Sequence, residues 1–133
     1  MVTFKTKFVP GQSIFDQVVF AAVRAILAGE LKAGEDFPSV RTLALDLKIH
    51  PNTAHKVVQH LIQERWLMAQ PGVGTVVAQV PKARAGDRKH LLEHDVEKLV
   101  VEAIRVGASL NEVQQAVEDA WSDLRGIKAV ANE

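Results

Sequence analysis

Cysteine is absent from all 133 residues, which excludes disulfides, thiolate metal sites and thiol nucleophiles and fits a reducing compartment. Also absent is a long apolar run. Residues 1–12 place no extended apolar segment behind a basic start, so neither a secretory signal nor a membrane anchor is expected, and we expect a cytoplasmic location. No nucleophile motif, Walker loop or paired-carboxylate pattern stands out, and an enzyme is not expected.

Net charge is absent as well, with 16 Lys and Arg against 16 Asp and Glu. The average conceals an asymmetry. Residues 1–89 hold 12 Lys and Arg against 7 Asp and Glu, a net of +5, whereas residues 90–133 hold 4 against 9, a net of −5. A head that meets phosphates gains from positive charge, and a body that does not meet them gains nothing from it. What remains is an ordinary globular composition, 47% hydrophobic and 24% charged, at a length suited to one domain and a small appendage.

Between Ser13 and Ala28 the residues Ile14, Phe15, Val18, Ala22, Ile26 and Leu27 recur at threes and fours, which predicts a helix closed by Gly29. Leu31 to Gly34 reads as a turn. Ser39 is placed to cap a second, short helix with an apolar side of Val40, Leu43, Ala44 and Leu47. A third pattern starts almost at once at Pro51, a residue suited to the first helical position. Its stripe is Ala54, Val57, Val58, Leu61 and Ile62.

Two short helices joined by a tight turn form a helix-turn-helix, whose second helix can enter a DNA major groove. Off its apolar stripe lie Asn52, Thr53, His55, Lys56, Gln59, His60 and Gln63, nearly all of them hydrogen-bonding groups with reach for phosphates and base edges. Two β-like runs follow, Trp66 to Ala69 and Thr75 to Val80, with Pro71-Gly72-Val73-Gly74 as the turn between them. This hairpin is a candidate wing.

Residues 81–89 read as a basic linker running into a helix capped by Asp87. Leu91, Leu92, Val96, Leu99, Val100, Ala103 and Ile104 keep helical spacing to Gly107, a helix stop. Ser109 and Glu112 have the spacing of a capping box. They open a last helix with Leu110, Val113, Ala116, Val117, Ala120, Trp121 and Leu124 on one face, ending near Gly126 with frayed residues beyond.

The expected fold is therefore mainly α with a small β-hairpin. A winged helix-turn-helix occupies 1–80, a linker 81–89, and a two-helix dimerisation hairpin 90–133. Two helices cannot enclose a core, so their apolar stripes should be buried against a second copy, the head, or both. The expected dimer contacts are Leu99, Ala103, Val113, Val117 and Trp121. Some 45 residues hardly form a ligand cavity of the usual kind, so any effector would use the dimer interface or an interdomain groove. His90 and His94 stand four apart and could meet one metal, but two ligands do not complete a site. No metal or cofactor is assigned.

Several blocks in this order resemble the GntR family of bacterial regulators, and within it the YtrA-like subfamily with a very short C-terminal helical region. They are Ile14-Phe15-Asp16-Gln17-Val18, Gly29-Glu30-Leu31-Lys32-Ala33-Gly34, Pro38-Ser39-Val40-Arg41-Thr42-Leu43-Ala44, Pro51-Asn52-Thr53 and Gly72-Val73-Gly74-Thr75-Val76-Val77. The resemblance covers almost the whole chain. It implies that Arg41 and the start of the third helix, Asn52, Thr53, His55 and Lys56, touch DNA, with the wing glycines at Gly72 and Gly74. Pattern and resemblance together give the DNA-binding set Ser39, Arg41, Pro51, Asn52, Thr53, His55, Lys56, Gln59, Gly72 and Gly74.

The implied function is a repressor that binds double-stranded DNA as a homodimer at an inverted repeat, in the setting of an ABC transporter operon. The competing reading is a winged-helix module for protein contact or scaffolding, since a fold alone does not fix function. Four departures from the family pattern stand out. Arg65 and Trp66 replace a glycine and a leucine, so the third helix is expected to end differently. Thr42 replaces an acidic residue, Gln70 and Pro71 stand where a basic residue often precedes the wing, and His50 replaces the small polar cap before Pro51.

Overall fold

A computed structural model describes residue 2, residue 4 and residues 6–132, with side chains described as far as residue 125. The elements run α1 (Ile14–Leu27), α2 (Val40–Leu47), α3 (Pro51–Gln63), β1 (Leu67–Gln70), β2 (Gly74–Val77), α4 (Asp87–His90), a π turn (Leu91–Asp95), α5 (Val96–Val106) and α6 (Leu110–Asn132). The chain divides into two compact units, Met1–Pro81 and Lys82–Glu133.

In the first unit the apolar stripes of the three helices meet in one core. Val18 and Ala22 of α1, Leu43 of α2, and Ala54, Val57 and Leu61 of α3 are fully buried, joined by Leu67 and Val77 of the hairpin. Burial of such side chains stabilises by about 1.5–3 kcal/mol each, so this cluster supplies most of the head's cohesion. Ile14 and Leu27, expected on the core face of α1, are exposed, and Ala25 is buried instead. Both lie at the two ends of the helix, where the stripe runs past the surface that α3 can cover.

Caps define the helix starts. Ser13 Oγ accepts from the Asp16 amide at 3.2 Å, and Ser39 Oγ accepts from the Thr42 amide at 3.1 Å. Thr42 does not supply the carboxylate of a capping box; its Oγ1 is 3.0 Å from Ser39 Oγ and accepts from that hydroxyl. Helix α2 ends on Lys48 in the left-handed region, φ 56 and ψ 48, with the Ile49 amide reaching back to Ala44 O at 3.0 Å. The tight α2–α3 turn follows from that reversal.

Residues at the start of the chain add to this core. Phe4 is buried and stacks on Phe37 with ring centroids 5.8 Å apart. Gln17 holds the preceding loop by three bonds: its Oε1 accepts from Val9 N at 2.7 Å, and its Nε2 donates to Val9 O and Gln12 O at 3.1 Å each.

The hairpin pairs antiparallel, Leu67 with Val77 and Gln70 with Gly74. Its strands are shorter than the β-like runs in the sequence, with β2 ending at Val77 and one further bond in the same register from Ala78 N to Trp66 O at 3.0 Å. The outer edge of β2 is taken up by residues 34–37. Gly34 N donates to Val77 O, Val77 N to Glu35 O and Phe37 N to Thr75 O, each at 2.8 Å.

Three expectations for the second unit are corrected. Asp87 is the first residue of α4 and not its cap, since Gly86 holds the cap position with φ 90 and Asp87 Oδ2 accepts from the Arg84 amide at 2.8 Å. The helical run from Asp87 is interrupted by the π turn Leu91–Asp95. Helix α6 continues past Gly126 to Asn132; an interior glycine costs about 1 kcal/mol relative to alanine but keeps its helical hydrogen bond. The expected stop at Gly107 does occur, with φ 79 and an Ala108 amide bond to Ala103 O at 2.9 Å. The capping box forms reciprocally: Ser109 N donates to Glu112 Oε1 at 3.0 Å and Glu112 N to Ser109 Oγ at 3.1 Å.

Candidate nucleic-acid interface

Helix α3 is amphipathic by position. With about 100° between successive residues, Ala54, Val57, Val58 and Leu61 share one side, and they are buried. On the opposite side Asn52, His55, Lys56, Gln59 and Gln63 are exposed, and Thr53 is half-buried at the boundary. These side chains offer an ammonium, carboxamides and an imidazole along one continuous helical face, the chemistry that phosphates and base edges accept. His60 does not belong to that face, because its ring packs edge-on against Phe15 of α1 with centroids 5.3 Å apart.

The first turn of α3 is built by His50 and Pro51. Pro51 needs no amide partner, and the Asn52 amide donates to His50 Nδ1 at 3.0 Å. The departure from a small polar cap therefore keeps the capping bond and changes the acceptor. Asn52 begins the polar face one residue later, so the face starts at the helix N-terminus, where free amides favour phosphate.

Ser39 and Arg41 sit on a different element, the start of α2. Ser39 is occupied as the cap, whereas Arg41 is exposed in the first turn. Gly72 and Gly74 lie in the turn region of the hairpin with φ of 78 and 120, conformations that side-chain-bearing residues rarely adopt. Val73 between them is 65% exposed and its amide donates to Gln70 O at 3.1 Å. The turn is thus tight, with the Val73 side chain exposed at its tip between two glycines.

The exit from α3 departs from expectation. Arg65 takes φ 68, the conformation a glycine would take there, and the Trp66 amide donates to Leu61 O at 2.9 Å. The helix ends in the same geometry as with glycine, at the steric cost of a left-handed arginine. Trp66 is half-buried against the core.

Of the residues expected at a dimer contact, Leu99, Val117 and Trp121 are exposed, Val113 is half-buried and Ala103 is already buried. Val96, Val100, Val101, Ile104 and Val106 of α5 are exposed too. A cavity of about 410 Å³ lies between residues 6–12 and α1, walled by Lys7, Asp16, Phe20 and Arg24 among others. No helix among the described residues is long and apolar enough to cross a membrane.

Three helices with a left-handed turn before the third, a two-stranded hairpin behind it and a polar exposed α3 face define a winged helix-turn-helix DNA-binding protein. Residues 16–77 match the model of the gntR family of bacterial regulatory proteins. The winged helix-turn-helix of this chain thus carries the gntR-family domain over residues 16–77.

The chain is 26% identical over 116 residues to the HTH-type transcriptional repressor YtrA of Bacillus subtilis (strain 168), covering 86% of this chain and 89% of that protein. Its fold is similar to a transcriptional antiterminator from Listeria monocytogenes EGD-e, with TM-score 0.76, 21% identity and 91% of each chain covered. It is also similar to YtrA from Sulfolobus acidocaldarius, a GntR-family transcription factor, with TM-score 0.52, 23% identity and coverage of 91% and 98%.

Proposed function

We propose that this regulator is a cytoplasmic repressor acting as a symmetric homodimer on an inverted-repeat operator, in the setting of an ABC transporter operon. The observation that carries the reading is the exposed polar face of α3, which starts at a capped helix N-terminus opposite a fully buried stripe. Arg41, Asn52, Thr53, His55, Lys56 and Gln59 make the DNA contacts, with Ser39 and Pro51 shaping the two helix starts and Gly72 and Gly74 the wing. The domain roles follow: residues 1–80 read DNA, 81–89 link, and 90–133 dimerise. The Bacillus subtilis relative, itself named a repressor, supports the direction of control.

Dimerisation is supported by the exposed apolar residues of α5 and α6, with Trp121 65% exposed and Ile104 73% exposed. Water contact at such a surface costs roughly 25 cal/mol per Å², and a two-fold partner removes it on both copies at once. Two heads then face successive major grooves on one side of the duplex. Repression follows by occlusion of the promoter.

A mobility-shift titration with the region upstream of the protein's own operon tests the operator, and sedimentation of Trp121→Glu tests the dimer. Sequence-preferring, salt-sensitive binding and a dimer that the substitution splits are expected. A monomeric parent, or equal binding to all duplexes, overturns the reading. Equal binding without salt dependence would favour a scaffold.

A further inference from the structure

The π turn in the second unit gathers three side chains, of which an ordinary helix would bring only the first two, four residues apart, to one face. Its closing bond runs from the Val96 amide to Leu91 O, five residues back. In an α-helix residue i+5 points about 140° away from residue i. A π turn, with about 4.4 residues and so about 82° per residue, brings residue i+5 to about 50° and residue i+4 to about 30° on the other side. His90, His94 and Asp95 hold positions i, i+4 and i+5.

Their side chains meet. The two imidazole rings lie 4.7 Å apart between centroids at 39°, and His90 Nε2 is 3.6 Å from Asp95 Oδ1. One donor atom from each of the three lies within 4.8 Å of the other two. Residues 82–102 are exposed throughout, so packing within the chain does not dictate this arrangement. No glycine or proline occurs between Asp87 and Val106 to account for the widened turn.

We propose that His90, His94 and Asp95 form a binding site for a divalent first-row transition-metal ion of the zinc class. Two imidazoles and one carboxylate are a donor set suited to such borderline ions, and less suited to calcium or magnesium, which take oxygen. Zinc sits about 2.0–2.2 Å from nitrogen and oxygen ligands, which places donors on one ion closer together than 4.8 Å. Exposed side chains make that adjustment by rotation; the His90 and Asp95 side chains are 63% and 47% exposed. Three protein ligands leave a fourth tetrahedral position open, and the ion ties together successive turns of the helix leading into α5.

The pair His90 and His94 was legible in the sequence as an incomplete site. Asp95 completes a three-ligand set only because the turn is π, and this is what the test must isolate. Calorimetric titration of the full chain with Zn²⁺, and visible absorption on adding Co²⁺, should each show one saturable ion per chain. His90→Ala and His94→Ala should abolish both signals, and Asp95→Asn should weaken zinc binding by roughly tenfold or more. Glu93→Gln, a neighbouring acid outside the set, should leave binding unchanged. The site is overturned if the parent shows no saturable binding, or if Asp95→Asn binds as tightly as the parent. Circular dichroism of each variant separates lost ligation from lost folding, and operator affinity is read independently.

Discussion

His50 Nδ1 accepts a 3.0 Å hydrogen bond from the Asn52 amide, so the helix that carries the polar face begins on an imidazole where a hydroxyl or carboxamide is the usual cap. An imidazole nitrogen accepts only while it carries no proton, and the ring is bulkier than serine. The bond nevertheless satisfies one of the free amides at the helix start. Replacing a capping side chain by alanine costs about 1 kcal/mol, and His50→Ala should lose that much. His50→Ser should recover it. Urea unfolding is the measurement, with the midpoint expected to fall and the slope to stay constant.

Arg65 offers a substitution in the opposite direction. Its φ of 68 costs a side-chain-bearing residue about 1–2 kcal/mol, and glycine removes that cost while adding about 0.4–1 kcal/mol of unfolded-state entropy. The side chain is exposed, so no packing is lost. Arg65→Gly should therefore stabilise the head by about 0–1.6 kcal/mol, and each 1 kcal/mol raises the melting temperature of a domain this size by about 4–8 °C. Arg65→Ala, which keeps the strain, should melt close to the parent. A lower melting temperature for the glycine variant would refute the steric account.

These two positions show what the sequence makes legible and what it hides. Val18, Val57 and Leu61 were readable because burial on one side of a helix imposes a 3.6-residue period that local spacing displays. The Ser109–Glu112 box was readable because both partners lie within one turn. Arg65 was misread because only a glycine advertises a left-handed residue. The edge pairing of residues 34–37 with β2 stayed hidden because those residues alternate no apolar pattern. His60 resembled a surface residue because its partner Phe15 lies 45 positions away. The π turn left no trace, since Leu92, Val96 and Leu99 keep near-helical spacing across it.

Acid should weaken the start of α6 through Glu112. The Ser109 backbone amide donates to its carboxylate, and the Ser109 side chain adds to the effect, so the Glu112 pKa is lowered from its ordinary value. A lowered folded pKa means that the unfolded chain binds more protons, so this contribution is present above the unfolded carboxylate value and is lost as pH falls through the folded one. Glutamine mimics the protonated form, a neutral acceptor in the same place. Helicity of the parent should exceed that of Glu112→Gln at about pH 7, and the gap should close as the pH falls below the ordinary carboxylate range and through the lowered folded value. Glu102, lowered by its bond to Arg105, adds a background common to both proteins. A gap that does not vary with pH would remove the charge from the account of this cap.

On the proposed DNA interface Lys56 and Arg41 would make two different kinds of contact. Lys56 lies on the exposed face of α3 as a mobile point charge, whereas Arg41 projects from the first turn of α2 with a planar fork that can hold two acceptors on one guanine or phosphate. Neither side chain is buried, so alanine at either site should leave the fold intact. Lys56→Ala should weaken binding to operator and unrelated duplex alike, and should flatten the log–log salt dependence by about 0.9 for each phosphate that the lysine neutralises in the parent. Arg41→Ala should cost about 1–3 kcal/mol on the operator and much less on unrelated DNA if its fork reads a base. If the fork grips phosphate instead, its removal should repeat the Lys56 pattern. Titrations of both variants at several salt concentrations, on operator and scrambled duplex, separate these outcomes; an Arg41→Ala protein that binds as tightly as the parent would take α2 out of the interface.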